Sequence, residues 1–303
     1  MSRPAWTLGH VAVAPFMAAR TAVAPGIGPL APEDWLHVDE DHAAQMALRD
    51  ALILGPERED LGPAVMTAGG EAAAAELSEA VAEEVVARHG ARRESGAVVR
   101  RDGVRVALEG DPMAVAGRLA QEDFLVMEKP EGAAEHVLTA GVLCFPAHWR
   151  LDEKIGRPLP RIHLPVTEYP GALARKVQRF FDGVKPGRPL MRANWHFAAS
   201  PEIVTPAHEA EKLANYSRRL AADGPAWLRV ERQTVLRLPR TGATVFGVRT
   251  LMSDVEGLTA EQWRALADRF EEMPEEQRAR KAGPALVARA RAAAARSGGD
   301  AAS

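Results

Sequence analysis

The spacing of apolar residues predicts helices along much of the chain. Leu77, Val81 and Val85 recur every four residues, which places them on one face of an amphipathic helix that Gly90 ends. Asp111 followed by proline marks another helix start, because aspartate caps free N–H groups and proline suits the first turn. In all, helices are predicted over 43–54 (capped by Asp39 or Asp41), 71–89, 111–126, 172–181, 259–273 and 278–296.

The second half of the chain alternates apolar and polar residues with the period of two that is typical of strands. Two such segments lie on either side of a turn at 239–242, which predicts an antiparallel hairpin. Helices combined with antiparallel strands predict an α+β fold. Strands are predicted over 136–145, 190–198, 227–237 and 244–251, with a further hairpin over 95–109.

The length of 303 residues suits one domain with a core of its own. We predict a single domain over 1–303 in three parts. The first part, 10–135, is an irregular N-terminal arm followed by helices and a hairpin that pack on the core. The β-rich core covers 136–252, and C-terminal helices with a frayed tail cover 253–303. Residues 146–165 are predicted to form a long irregular stretch inside the core, which is either a functional loop or a misread element.

Composition and charge narrow the classes of function. Hydrophobic residues make up 47 % and charged residues 26 % of the chain, so we expect an ordinary globular protein. A formal charge of −3 argues against binding to DNA or RNA, which needs clustered Lys and Arg. Cys144 is the one cysteine, which excludes an intrachain disulfide and multi-thiolate metal sites. With no signal peptide and no long apolar run, we expect no membrane partner and a cytoplasmic location.

The chain lacks a phosphate-binding loop, a nucleophile elbow, a zinc-protease helix and a dinucleotide fingerprint. The remaining candidates are histidines. His163 lies in a proline-flanked apolar segment, which would aim a neutral imidazole at a metal. The same pattern suits a buried histidine that binds a carbonyl. His148 and His196 flank tryptophans and are further candidates, or half-exposed surface residues.

Two predicted strands carry polar residues that could bind an anion. Arg192 and Asn194 lie on one strand face, where they could pair with a carboxylate, whereas Trp195 faces the core. Arg232 lies among apolar residues of its strand, so we expect it to be buried with an anionic partner. That partner is either a cofactor carboxylate or a glutamate across the sheet.

Two further side chains have alternative interpretations. Glu231 could neutralise a small ammonium substrate, because a carboxylate in a half-apolar pocket recognises such a cation. It could equally be a solvated strand residue. Cys144 lies in an apolar run, which favours a small core residue over a metal thiolate.

Four blocks of sequence carry a resemblance to a known family. Residues 144–156, the segment Arg161-Ile-His-Leu-Pro-Val166, the segment Arg192-Ala-Asn-Trp195 and residues 230–239 resemble, in this order, the haem-dependent oxidative N-demethylase alpha-subunit family. Weaker matches extend the resemblance from about residue 25 to residue 283, which covers nearly the whole chain.

The resemblance implies a PAS-like antiparallel sheet with flanking helices that binds haem b. It implies O2-dependent demethylation of a small amine such as dimethylamine to methylamine and formaldehyde. Electrons would come from NADPH through a separate flavin and iron–sulfur reductase subunit, which agrees with the single cysteine and the missing dinucleotide motif. In this scheme His163 is the iron ligand, and Glu231 lies near the substrate ammonium. The cofactor-binding residues are Arg192, Asn194, Trp195 and Arg232.

The sequence departs from the family pattern at two positions. His42 stands where the family has a tyrosine, and Thr167 stands where the family has a second proline. These changes could alter the choice of amine. Two other functions remain open, namely a haem-binding PAS-type sensor without enzymatic activity and a scaffold that only docks a partner.

Overall fold

The computed structural model describes residues 3–18, 26–56, 58–162, 171–208 and 224–299. The helices are α1 (His42–Leu54), α2 (Arg58–Leu61), α3 (Glu71–Arg88), α4 (Pro112–Leu119), α5 (Leu159–Ile162), α6 (Gly171–Gly183), α7 (Ala260–Glu272), α8 (Glu275–Lys281) and α9 (Gly283–Gly299). The strands are β1 (Gly28–Pro29), β2 (Ala64–Met66), β3 (Arg92–Glu94), β4 (Ala97–Val99), β5 (Arg105–Ala107), β6 (Asp123–Glu128), β7 (Val137–Val142), β8 (Leu190–Ala198), β9 (Trp227–Arg237) and β10 (Thr244–Asp254).

A large antiparallel sheet organises the molecule. Its seven strands follow the order β1-β8-β9-β10-β6-β7-β2, and β3, β4 and β5 form a separate small sheet. The large sheet is open and has helices packed against it, which confirms the predicted α+β class. Strands β1, β2 and β6 precede residue 136, so the sheet extends into the segment that the sequence assigned to the arm and helices.

The predicted helix over 111–126 is wrong in its second half. Asp111 caps α4 as predicted, since its carboxylate accepts hydrogen bonds from the backbone N–H groups of Met113 and Ala114. The helix ends at Leu119, and 123–128 forms β6. This strand lies inside the sheet and is apolar on both faces, and a short apolar run cannot be told from a helix segment by its spacing.

The two faces of the large sheet pack against different parts of the chain. One face, which we call the helical face, carries Trp195, Val230 and Leu251 among its residues. These side chains pack against α7, α9 and the N-terminal arm, and further along the same face β6 and β7 pack against α3 and α4. On the other face, the apolar residues of β6 and β7 pack against α5, α6 and the stretch that follows β7.

A buried ion-pair cluster ties β10 to the start of α1 on the helical face. The Arg249 guanidinium donates to Asp39 Oδ1 at 2.7 Å and to Asp41 Oδ1 at 2.6 Å, and the Arg249 and Asp41 side chains are both 0 % exposed. Gln45 and Gln121 also donate to Asp41, at 2.6 and 2.8 Å. Asp41 precedes α1 but its side chain makes no capping hydrogen bond, because its oxygens serve this cluster.

His42 begins α1 and is buried, which gives the fold a pH dependence. Burial lowers its pKa to about 4, and the nearby Arg101 and Arg100 lower it further while Asp102 opposes them. The unfolded chain therefore takes up a proton near pH 6.5, where the folded chain does not. The contribution of His42 to stability is complete above that pH and is lost as the pH falls from 6.5 through 4.

We expect His42 to lower the free energy of unfolding at about pH 5 relative to about pH 7, and we expect His42→Gln to remove this contribution from the difference between the two pH values. Urea unfolding at both pH values measures the change. The control is His10→Gln, since His10 is exposed and should leave the difference between the two pH values intact. An unaltered difference in His42→Gln would contradict the assignment.

Candidate functional site

The middle of β8, β9 and β10 presents polar side chains on the face opposite to the helical face. In the strand register Asn194 lies opposite Glu231, and Arg192 lies opposite Gln233. Cross-strand partners share a face, so these four side chains form two adjacent rows. We call this surface the polar face.

A chain of hydrogen bonds links three residues of the polar face. Arg192 Nε donates to Gln233 Oε1 at 2.6 Å, and Gln233 Nε2 donates to Glu231 Oε2 at 3.0 Å. A guanidinium only donates and an ionised carboxylate only accepts, so the Gln233 amide has a single orientation that satisfies both neighbours. Gln233 therefore holds the Glu231 carboxylate in place and links it to Arg192.

Arg229 flanks Glu231 on the same strand and fixes the adjoining loops. Its terminal nitrogens donate to the carbonyl oxygens of Ile203 and Phe145, at 2.9 and 2.7 Å. Its Nε lies 3.7 Å from Glu231 Oε1, and the Glu231 side chain is 15 % exposed. Glu231 is thus a half-buried carboxylate. One of its oxygens lies near the buried Arg229 guanidinium, and the other accepts a hydrogen bond from the Gln233 amide.

His196 continues the polar face next to Arg229, its partner in the register. Burial lowers the pKa of His196 to about 4, and the charges of Arg229 and Lys281 lower it further. The imidazole is therefore neutral at neutral pH and can accept a hydrogen bond or bind a metal. His148 is near enough to contribute to this shift, and it has a positive φ of 57°.

Two apolar side chains lie beside the polar rows. Phe246 and Val248 are half-buried in the middle of β10, although this strand lies between β9 and β6. Three other residues of that strand face, Thr244, Thr250 and Met252, are buried. The Arg192 guanidinium lies over the Phe246 ring at 6.0 Å from its centroid. The face thus joins an apolar surface to a cation and a carboxylate.

The structure brings together some of the residues selected from the sequence and separates others. Arg192, Asn194 and Glu231 share the polar face. Trp195 and Arg232 point to the helical face, because they alternate with those residues along the strands. One ligand cannot contact both faces of a sheet. His163, the predicted metal ligand, lies outside the described residues.

Arg232 is buried, and its guanidinium binds backbone carbonyl oxygens. Its guanidinium donates to the carbonyl oxygen of Trp35 at 3.1 Å and to that of Asp34. The charge of Glu122 also acts on it. That glutamate lies directly before β6 in the same sheet. Trp195 packs in the core against Phe16.

Sequence reasoning did not assign roles to Gln233, Arg229, Phe246 and Val248. The sequence contained an incomplete signal for Phe246 and Val248. The alternation of residues places them on the same strand face as Thr244 and Thr250, but both faces of this strand carry apolar residues. The alternation therefore does not reveal which face of the strand stays partly exposed to solvent. The hydrogen bonds of Gln233 depend on the pairing of β8 with β9, which the sequence does not specify.

The described ranges contain neither a cluster of metal ligands nor a membrane-spanning helix. No group of three His, Cys, Asp or Glu side chains within them could hold a metal ion. No helix within them combines the length and hydropathy that a bilayer crossing requires.

The chain matches the model of a known protein family. The family model described as haem-dependent oxidative N-demethylase, alpha subunit-like, matches residues 26–287 of the chain. The match covers the large sheet from β1 to β10 and the helices up to the beginning of α9.

Proposed function

Because the chain belongs to the haem-dependent oxidative N-demethylase, alpha subunit-like family, we propose that it removes a methyl group from a small secondary or tertiary amine such as dimethylamine. The polar face of β8, β9 and β10 is the proposed site for both haem and amine. The observation that carries the proposal is the position of Glu231, a half-buried carboxylate held by Gln233 next to an apolar surface.

The residues of the polar face fit a haem. The ring of a haem is flat and apolar, and Phe246 and Val248 offer a half-buried apolar surface in the middle of a central strand. The two propionates of a haem are anionic, and Arg192 lies at the border of this surface with Asn194 beside it. We assign Arg192 and Asn194 to the propionates and leave Trp195 and Arg232 out, because they lie on the helical face.

The reaction removes one methyl carbon as formaldehyde. Dimethylamine, O2, two electrons and two protons give methylamine, formaldehyde and water. When bound, the haem supplies the iron that activates O2. Glu231 binds the ammonium form of the amine and holds its N-methyl group in one orientation, since a charge-assisted hydrogen bond fixes direction as well as distance. Gln233 keeps the Glu231 carboxylate from turning away.

The electrons come from a separate subunit in this proposal. The chain has one cysteine, Cys144, and burial raises its pKa to about 12, so it is a protonated core thiol. No dinucleotide fingerprint occurs in the sequence. We therefore assign NADPH oxidation to a flavin and iron–sulfur reductase that passes electrons to the haem. We also propose that the sheet is PAS-like and that His163 is the iron ligand.

The ultraviolet-visible spectrum of the purified protein tests the haem assignment. We expect a Soret band after haem-supplemented expression, and we expect His163→Ala to lose or shift it because the iron loses its imidazole. His208→Ala is the matched control, since His208 is exposed and pairs with Glu153. A Soret band that is unchanged in His163→Ala would refute the ligand assignment and direct attention to His196.

Formaldehyde release separates an enzyme from a sensor. The haem-loaded protein with a chemical electron source, O2 and dimethylamine should release formaldehyde in step with amine consumption. A protein that binds haem but whose spectrum does not respond to dimethylamine or trimethylamine, and that releases no formaldehyde, would be a sensor.

A further inference from the structure

The outer side of α6 and the turn after it carry a group of exposed cationic side chains. The turn is closed by a hydrogen bond from the Arg188 backbone N–H to the Lys185 carbonyl oxygen, at 3.2 Å, and leads directly into β8. We call this group the basic patch. Its residues are Arg175, Lys176, Arg179, Lys185 and Arg188.

The basic patch differs from other cationic surfaces of the protein. Several exposed arginines elsewhere pair with carboxylates, as Arg88 does with Glu84 at 2.8 Å and Arg291 does with Glu271 at 2.5 Å. No side chain of the basic patch forms an ion pair in the part of the chain that the structure describes. The patch thus concentrates five exposed cations in a chain whose formal charge is −3.

Local structure does not account for this concentration of charge. Cations stabilise a helix when they lie in its last turn, but α6 has no basic residue there. The one carboxylate near the end of the helix, Asp182, already pairs with Lys129 at 3.0 Å. Two more carboxylates, Glu131 and Glu135, lie on the neighbouring loop after β6. They are fewer than the cations of the patch, so the surface stays positive.

The inner side of α6 connects the patch to the large sheet. Val177, Phe180 and Phe181 pack against apolar residues of β6 and β7 on the face that carries the proposed site. Arg237 of β9 donates to the carbonyl oxygens of Phe181 and Val184, at 2.7 and 2.6 Å, which fastens the end of the helix. A helix with its side chains is about 10 Å thick. A protein docked on the patch is therefore about one helix away from the sheet.

We propose that the basic patch docks the acidic surface of an electron-donating protein. The proposal rests on the proposed function, which requires electrons from a separate subunit. Unpaired charges with water around them steer an oppositely charged partner and speed its arrival more than they strengthen the final complex. Electron-transfer complexes are of this kind, with small interfaces and short lifetimes. The thin layer between patch and sheet keeps the donor close to the cofactor.

Binding of an acidic [2Fe–2S] ferredoxin to the full chain tests the proposal without requiring haem. Fluorescence anisotropy at low ionic strength should detect a complex that weakens as salt is added. We expect Arg175→Glu combined with Arg179→Glu to weaken binding about tenfold or more, because two attractive charges become repulsive. The matched control is Arg264→Glu combined with Arg296→Glu, two exposed arginines on α7 and α9, which should bind as the unaltered chain does.

Several results would overturn the proposal. They are no binding at low salt, equal weakening in the control, and binding of RNA or anionic lipid vesicles in place of ferredoxin. Thermal melting followed by circular dichroism verifies folding, and Arg175→Gln with Arg179→Gln replaces the charge-reversed pair if that pair unfolds. Ferredoxin binding that depends on the patch in a protein without a Soret band would refute the proposed function and leave the docking surface standing.

Discussion

Replacing Arg249 with leucine is expected to lower the free energy of unfolding by about 3–5 kcal/mol. Arg249 is fully buried and is the shared cation of Asp39 and Asp41. Removing it leaves two carboxyl groups next to each other, and the Asp41 side chain is fully buried. Such a change costs far more than the loss of an exposed pair, because a buried charge without a partner keeps its desolvation penalty. Urea unfolding at neutral pH measures the loss.

The pH dependence of this variant is a second signature. Burial and the neighbouring Asp39 raise the pKa of Asp41 to about 7, even with Arg249 present. A carboxyl whose folded pKa is raised favours folding at low pH, and this contribution is lost as the pH rises through that value. Without Arg249 the loss of stability should therefore be larger at about pH 8 than at about pH 5.

Two comparisons test the cause. Arg88→Leu removes a pair on α3 whose arginine side chain is 47 % exposed, and it should cost less than about 1 kcal/mol. Adding Asp39→Asn and Asp41→Asn to Arg249→Leu should recover part of the stability, because the unpaired charges are gone. A loss in Arg249→Leu no larger than in Arg88→Leu would show that the cluster does not hold the start of α1 on the sheet.

Replacing Glu231 with glutamine is expected to weaken binding of dimethylamine about 10- to 100-fold, since a hydrogen bond to a charged group contributes about 1.5–3 kcal/mol. The side chain keeps its size, so packing on β9 is preserved. What is lost is the negative charge that would face the ammonium. The shift of the Soret band on titration with amine gives the dissociation constant, and formaldehyde release gives KM and kcat.

Glu128→Gln is the matched control, because Glu128 is a half-buried carboxylate of the same sheet that accepts a hydrogen bond from Thr139 at the end of β6. It should leave amine binding unchanged. Gln233→Met should weaken binding in the unaltered chain but add little to Glu231→Gln, because both changes act on one carboxylate. Identical titration curves for Glu231→Gln and the unaltered chain would contradict a role for Glu231 in amine recognition.

Local patterns in the sequence predicted the elements whose physical causes are local. The α3 and α7 helices and the α4 cap at Asp111 depend on residues within a turn of each other. The prediction that this helix continues to residue 126 was wrong, because the structure there depends on residues that are distant in the sequence. The strand β6 forms because β10 and β7 pair with it on its two sides.

The candidate site shows the same difference between features with local causes and features with distant causes. Strand parity placed Arg192 and Asn194 on one side and Trp195 on the other. It also predicted that Arg232 is buried, because a lone arginine stood among apolar residues. The partners of Arg232 are the backbone carbonyls of residues 34 and 35, some two hundred residues away in the chain. No local pattern specifies such a contact.

The sequence by itself determined the α+β class, most element positions and, through four blocks of resemblance, the family. These features depend on neighbours in the chain or on residue identity, both of which can be seen in a sequence. Only the tertiary structure decided which residues share the polar face and that Gln233 links Arg192 to Glu231. It also decided that the cations of α6 lie outward. Those facts depend on strand register and on packing between distant segments, where one residue of shift would turn every side chain to the other face.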